Sequence, residues 1–298
     1  MNMGTEKETM IYSTVAVAGR TEDIGLYAIA AVVNELAAKG GSEPQVCVHL
    51  LLPEKLERPY VYRMEKKIKK ICTEKGIHLL EIRESIQAQI SEYTVTASGL
   101  DRAPKEEAWY RETMRAGQDI VLTKWIGMEG MLRILEEQKE ALAKRFAPAF
   151  LNQAAAFGEA VFAGKEAELA RKKGAVKILP VSEGGIYAAL WKLAEEAGSG
   201  LEVDLKKISI RQETIEVCEH FRMNPYQLAS SGCLLIVTED GRAMTEAFAE
   251  IGVHAAVIGR LRGDRDKIIR NGEDVRYIDR PAPDEINKLY SGGYDERD

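Results

Sequence analysis

Residues Asp23 to Pro53, DIGLYAIAAVVNELAAKGGSEPQVCVHLLLP, constrain the fold of this chain more than any other stretch. Ile24, Tyr27, Ala28, Ala31, Val32 and Leu36 recur at the spacing of one helix face. Gly40-Gly41 closes that helix, because a residue without Cβ takes the left-handed cap conformation at no steric cost. Gln45 to Leu52 then reads as a central strand, apolar on both faces of its pleat. Asn34 and Glu35, a polar pair near the end of the helix, are out of place on a purely structural element.

Length and charge limit what can be built around this unit. The 298 residues suffice for one large or two ordinary domains, each with its own core. With 45% apolar and 30% charged residues, and no apolar run near the ~20 residues of a membrane span, a soluble protein is expected. MNMGTEKETM lacks the layout of a signal peptide, so a cytoplasmic location is expected. Cys47, Cys72, Cys218 and Cys233 form no C-x-x-C pair and read as small buried residues in a reducing compartment. His49, His78, His220 and His254 share no ligand spacing, so no metal site is read. A net charge of -6 argues against nucleic acid as a partner, since phosphate contacts need a basic face.

Strand signals at Ile11–Val17, Ile77–Ile82 and Gln89–Ala97, with helices from Asp23 and Pro59, give the order β-α-β-α-β-β, a small α+β domain with one sheet face exposed. Val61, Met64, Ile68, Ile71 and Cys72 mark the buried stripe of the second helix; Lys66, Lys67, Lys69 and Lys70 read as its solvated side or as an anion patch. Gly99 to Gly117, with Pro104 and the charges Lys105, Glu106 and Glu107, is the expected linker. Domains of residues 1–103 and 104–298 follow. In the second, strands at Ile120–Thr123, Val176–Leu179, Leu201–Val203, Leu234–Thr238 and Ala255–Leu261 alternate with helices at Met131–Phe146, Ala149–Lys173, Gly184–Ala197, Glu213–Phe221 and Arg242–Ile251. That is an α/β layer, and residues from Pro281 onward read as a peripheral helix and polar tail.

The Asp23–Pro53 stretch resembles the segment around the Asn-Asp pair of the aminoimidazole ribonucleotide (AIR) synthetase superfamily, with Glu35 where the family has Asp. Four more blocks keep the family's order: GQDIVLTKWIGMEG from Gly117, SEGGIYAALWKLAEEAGSGLEVD from Ser182, PYQLASSGCLLIV from Pro225 and AAVIGRL from Ala255. The hydrogenase-maturation, HypE-like branch fits best, although its terminal cysteine is replaced here by SGGYDERD.

The resemblance implies a homodimer through the N-terminal domain, with ATP held by magnesium and acidic residues near the dimer interface. It also shows departures. The family's glycine-rich Gly-Asp-Asp segment has no counterpart before Ile11, another family carboxylate aligns with Val15, and the Asp of an Asp-Pro-Thr aligns with Pro180. The nucleotide or phosphate candidates that survive are Asn34, Glu35, Lys124, Ser182, Glu183, Gly184 and Gly185. Each has a plainer reading: Asn34 and Glu35 as a helix-end pair, Lys124 as a solvated cation, Ser182 as an N-cap. Ser230-Ser231-Gly232 lacks the spacing of a nucleophile elbow and reads as a turn. Two functions compete. One is a catalytically degenerate relative kept for dimerisation, small-ligand binding or pairing with a complete paralogue; the other is an ATP-dependent activating enzyme with a reduced site.

Overall fold

Alternating burial along three of four strands, one helix buried on nearly all sides and a second with a 3.6-residue stripe build the first of two compact units, Met1–Arg111 and Glu112–Asp298. This computed structural model describes residues 8–55, 57–104 and 114–290. In the first unit β1 (Glu8–Gly19), α1 (Ile24–Ala38), β2 (Gln45–Leu52), α2 (Arg58–Glu74), β3 (His78–Ile86) and β4 (Tyr93–Pro104) form a sheet in the order β1-β4-β2-β3. β4 runs antiparallel to β1 and β2, and α2 is the crossover that makes β2 and β3 parallel. The order β-α-β-α-β-β is the one expected.

Three local expectations are corrected. Gly99 lies inside β4 rather than in a linker: a Cβ there would stand 2.4 Å from Val32 Cγ1 and 2.8 Å from Leu36 Cδ1, so the glycine marks where α1 presses onto the sheet. Lys105, Glu106 and Glu107, and Gly117's neighbours up to 113, lie outside the described residues. Second, β2 is an inner strand with only one covered face, since Val46, Val48, Leu50 and Leu52 are buried while Cys47 is exposed. Cys47 therefore does not share the buried setting of Cys72, Cys218 and Cys233. Third, the strand expected at Gln89–Ala97 begins at Tyr93 and runs on to Pro104 as β4; β3 is mostly exposed along its length. On the uncovered face Tyr12 pairs with Leu100, next to Met10, and all three are largely exposed.

The turn after α1 is fixed by Asp101. Its carboxylate accepts the N–H of Glu43 at 3.0 Å and of Arg102 at 2.7 Å, and a Cβ on Gly41 would lie 2.5 Å from Asp101 Oδ2. Burial raises the Asp101 carboxyl above its ordinary range.

In the second unit β5 (Asp119–Thr123), β6 (Lys177–Pro180), β7 (Leu201–Asp204), β8 (Leu234–Thr238), β9 (Ala255–Leu261), β10 (Lys267–Asn271) and β11 (Asp274–Tyr277) form a sheet in the order β11-β10-β7-β9-β5-β8-β6. Strands alternate with helices as expected, but only β10 and β7 pair in parallel. β10 and β11 occupy a stretch without a strand in the sequence reading; β11 is only four residues long and exposed at every position. The long helix expected from Met131 breaks at Gln138 into α3 (Met128–Glu137) and α4 (Lys139–Arg145). The Ala-rich stretch is α5 (Pro148–Ala155), a 3-10 turn (Ala156–Val161) and α6 (Gly164–Lys172). α7 (Gly185–Ala197), α8 (Gln212–His220) and α9 (Gly241–Glu250) lie close to their expected bounds. Ile120, Leu122, Leu190, Leu193, Val203, Leu235 and Ile258 are central to the core.

Gly99→Ala should destabilise the first unit by about 1–3 kcal/mol, because Val32 and Leu36 would have to retreat from a helix packed on a rigid strand. Urea denaturation of the two proteins measures it, and an unchanged midpoint would refute the close-packing role.

Candidate functional site

The sequence blocks of the second unit converge. β5 is followed by Lys124, whose φ of 57° is left-handed, and Gly127, with φ 71°, opens α3 without a side-chain cap. Its N–H donates instead to Ser230 Oγ at 2.7 Å, and that hydroxyl donates to Leu228 O at 2.7 Å. The next serine's N–H donates to Glu129 Oε2 at 3.2 Å, and the N–H of Leu234 donates to Thr123 Oγ1 at 3.0 Å. Ser230 and Ser231 thus buttress the start of α3, which no local pattern signals.

The third block meets the same turn. Gly184 (φ 74°) and Gly185 (φ 64°) open α7, and a Cβ on Gly185 would sit 2.6 Å from Tyr226 O and 2.8 Å from Leu228 O. Gly185 N–H donates to Ser182 O, which also accepts from Ser230 N. Ser182 supplies no side-chain cap, contrary to its plainer reading; Gly184 is the capping residue. Glu183 is exposed.

The Gly184 N–H is not open. It donates at 2.7 Å to Oδ2 of Asp284, a residue read from sequence as part of a peripheral tail but only 3% exposed. Oδ1 of the same carboxylate accepts from Ile286 N at 3.0 Å, so the acid both caps its own 3-10 turn, Glu285–Leu289, and sits at the positive end of α7. Burial pushes the Asp284 carboxyl up to about 6; Glu129 adds to the rise, while the two N–H groups and Arg133 oppose it. Arg133, buried on α3, lies 3.5 Å from Glu129 Oε1 and 3.4 Å from the Tyr290 hydroxyl, which donates to Glu137 at 3.0 Å. Sequence offered one hint of this: an Asp two residues before an apolar position after Pro is a turn-capping pattern, though it does not name the partner.

Lys124 is not solvated. It is 8% exposed, and its ammonium donates to Glu166 Oε1 at 2.7 Å, Phe162 O at 2.5 Å and Ala160 O at 3.1 Å. In the first unit Asn34 is enclosed within α1, Glu35 is partly exposed, and both have interaction partners. Lys67 pairs with Asp23, Lys69 with Glu65 and Lys70 with Glu74. Among the described residues no cluster of three or more His, Cys, Asp or Glu side chains could hold a metal ion, and no helix is long and apolar enough to cross a membrane.

A cleft of about 320 Å³ opens beside Gly184, between α7 and the β10–β11 hairpin. Arg276, Arg280, Asp274 and Asp279 line it together with Tyr187 and Gln227. Tyr187 stacks on Tyr226 at 5.4 Å, and burial raises its hydroxyl to about 12, so it stays protonated.

This second unit is an AIR synthase-type domain. Residues 115–271 match the family model of the AIR synthase related protein, C-terminal domain, and the chain belongs to that family. Over 275 residues it is 21% identical to a hydrogenase expression/formation protein of Methanocaldococcus jannaschii, covering 90% of this chain and 79% of that one. The crystal structure of HypE from E. coli, a hydrogenase maturation protein, superposes with a TM-score of 0.76 at 17% identity, over 93% of this chain and 87% of that one. A HypE structure in complex with ATP gives 0.72 at 17% identity, over 96% and 88%. Asp284 lies beyond the residues that match the family model.

The Asp284 carboxyl is raised from about 4 in the unfolded chain, so its protonated form binds the fold better. Its contribution is fully present below about pH 4 and is lost as pH rises through about 6. The stability of Asp284→Asn relative to the parent should therefore increase from pH 4 to pH 7, by up to about 3 kcal/mol. Urea midpoints of both proteins across that range test this; a flat difference would show that Asp284 does not titrate with folding.

Proposed function

We propose that this chain is a HypE-like member of the AIR synthase superfamily that has given up phosphoryl transfer and keeps the fold for dimerisation and small-ligand binding. The observation that carries the reading is the state of its phosphate-binding groups. Lys124 is neutralised by Glu166, and the Gly184 N–H is taken by the chain's own Asp284. Val15 and Pro180 add to it, standing where the family resemblance calls for carboxylates. Glu35, one methylene longer than Asp, displaces the remaining acid. Magnesium needs near-octahedral oxygen ligands and usually one or two carboxylates besides the phosphates. The residues present do not fit a magnesium triphosphate, and losing even one electrostatic donor costs about 100- to 1000-fold in rate. Phosphoryl transfer with a reduced site remains the competing reading, favoured by the likeness to a fold solved with ATP.

Purified protein with ATP and magnesium should release phosphate at a background rate that Glu35→Ala leaves unchanged. Turnover of about one per second that vanishes in Glu35→Ala would overturn the degenerate reading.

Dimerisation belongs to the N-terminal domain, residues 1–103, in a cytoplasmic protein. Its support is the uncovered sheet face of Met10, Tyr12, Leu100 and Cys47, flanked by the open edges of β1 and β3. Light scattering should give a mass near twice 33.1 kDa, with Cys47 shielded from thiol reagents at micromolar protein and reactive on dilution. A monomeric mass with Cys47 reactive at every concentration would refute the dimer.

A further inference from the structure

Three segments meet at one end of the seven-stranded sheet, beyond Thr123. The N–H of Ile126 donates to Ser209 O at 3.0 Å, Ile126 bridges Ile210, and the N–H of Lys124 donates to His254 O at 2.8 Å. Their side chains, with Phe157 of the 3-10 turn, form a stack. The Arg211 guanidinium carbon lies 3.9 Å from the centre of the Trp125 ring and 4.6 Å from that of Phe157. The two rings are 6.3 Å apart, and Trp125 lies almost parallel to the His254 imidazole at 5.7 Å. His254 Nε2 and Ser209 Oγ are hydrogen-bonded at 2.7 Å.

The rings fix a planar cation but offer its N–H groups no acceptor. The Arg211 side chain forms no hydrogen bond or ion pair among the described residues, and its Nε is enclosed without a partner while the two Nη groups reach the surface. Glu213, two residues on, is spent on Gln153 at 2.6 Å. Lys124, in the same loop as Trp125, has its counter-charge in Glu166. A partly buried charge left without acceptors is costly, and a guanidinium fork held in place loses little entropy on docking. Arg211 also immediately precedes α8, whose positive end faces it.

We infer that Arg211, clamped between Trp125 and Phe157 with the Ser209–His254 pair on the same tryptophan, binds the oxyanion of a small molecule, a carboxylate or a phosphoryl group, through its Nη fork. The fork matches either group bidentately, as an ammonium does not. The site lies wholly in the second unit and stands whether or not the chain turns over ATP.

Trp125 is the reporter. In the full chain carrying Trp109→Phe and Trp191→Phe, Trp125 emission is titrated with sodium phosphate and, separately, with sodium succinate, at ionic strength held constant with sodium chloride. A saturable change in either arm is expected, and the responding arm assigns the group. Arg211→Gln should raise the half-saturation concentration by at least about tenfold, the loss of one charge-assisted hydrogen bond. Arg211→Lys, which keeps the charge and loses the fork, should fall between. Circular dichroism checks both folds. In wild-type protein the responding ligand should also slow phenylglyoxal modification of Arg211, mapped by mass spectrometry, which serves if both variants unfold. No saturable change in either arm overturns the inference, as does a response that the folded variants share or that leaves Arg211 unprotected.

Discussion

A backbone N–H shut away from water must meet an acceptor, and in the second unit that requirement decides which segments lie together. α3 and α7 both begin at glycines with positive φ and neither has a side-chain cap of its own. Their first donors are met from far along the chain, Gly127 by Ser230 and Gly184 by Asp284. Glu129 returns a bond to the N–H of Ser231. Because each of these acceptors is buried, moving one segment strands a polar group at about 1–3 kcal/mol. The loop after β5, the turn before β8, the start of α7 and the C-terminal segment are therefore held as one cluster.

What sequence reveals follows from the range of the interaction responsible. Helix faces and alternating strands depend on neighbours within a few positions, so α1, α2, α7, β8 and β9 were legible almost to the residue, and so was the order of the family blocks. Lys124, Asp284 and Gly99 were not, because each takes its role from a partner more than thirty positions away: Glu166, Gly184 and Val32. A lysine after a strand reads the same whether its head meets water or a buried glutamate. Gly99 beside Pro104 has the composition of a break, and only the approach of α1 shows that it is a packing glycine. Among the candidate residues, the Ser182–Gly185 turn was visible as a helix start, but not the acid that fills it.

The first unit shows the opposite case, in which local pattern is clear and apolar residues stay exposed on one face of the sheet. β2 carries Leu50 and Leu52 toward the helices and Cys47 and His49 away from them. A sheet covered by helices on one side only normally places polar residues on the other. Tyr12, Leu100 and Met10 break that rule, so apolar character legible in the sequence does not here mean burial.

Lys124 and Arg211 show how partner choice sorts two cations at one end of the same sheet. Removing a charge from water is unfavourable unless an opposite charge or several acceptors replace the lost hydration. Lys124 receives all of these from within, a carboxylate and two carbonyls for its three N–H groups. It therefore has nothing left to offer a ligand, and its left-handed backbone is the strain that this internal site tolerates. Arg211 receives only the faces of Trp125 and Phe157, which hold its plane and leave its donors unspent. A fold that stabilises one cation completely and orients another without an acceptor places its capacity for anion recognition on the second. That capacity is independent of Val15 and Pro180, which by the family resemblance stand where nucleotide chemistry would use carboxylates.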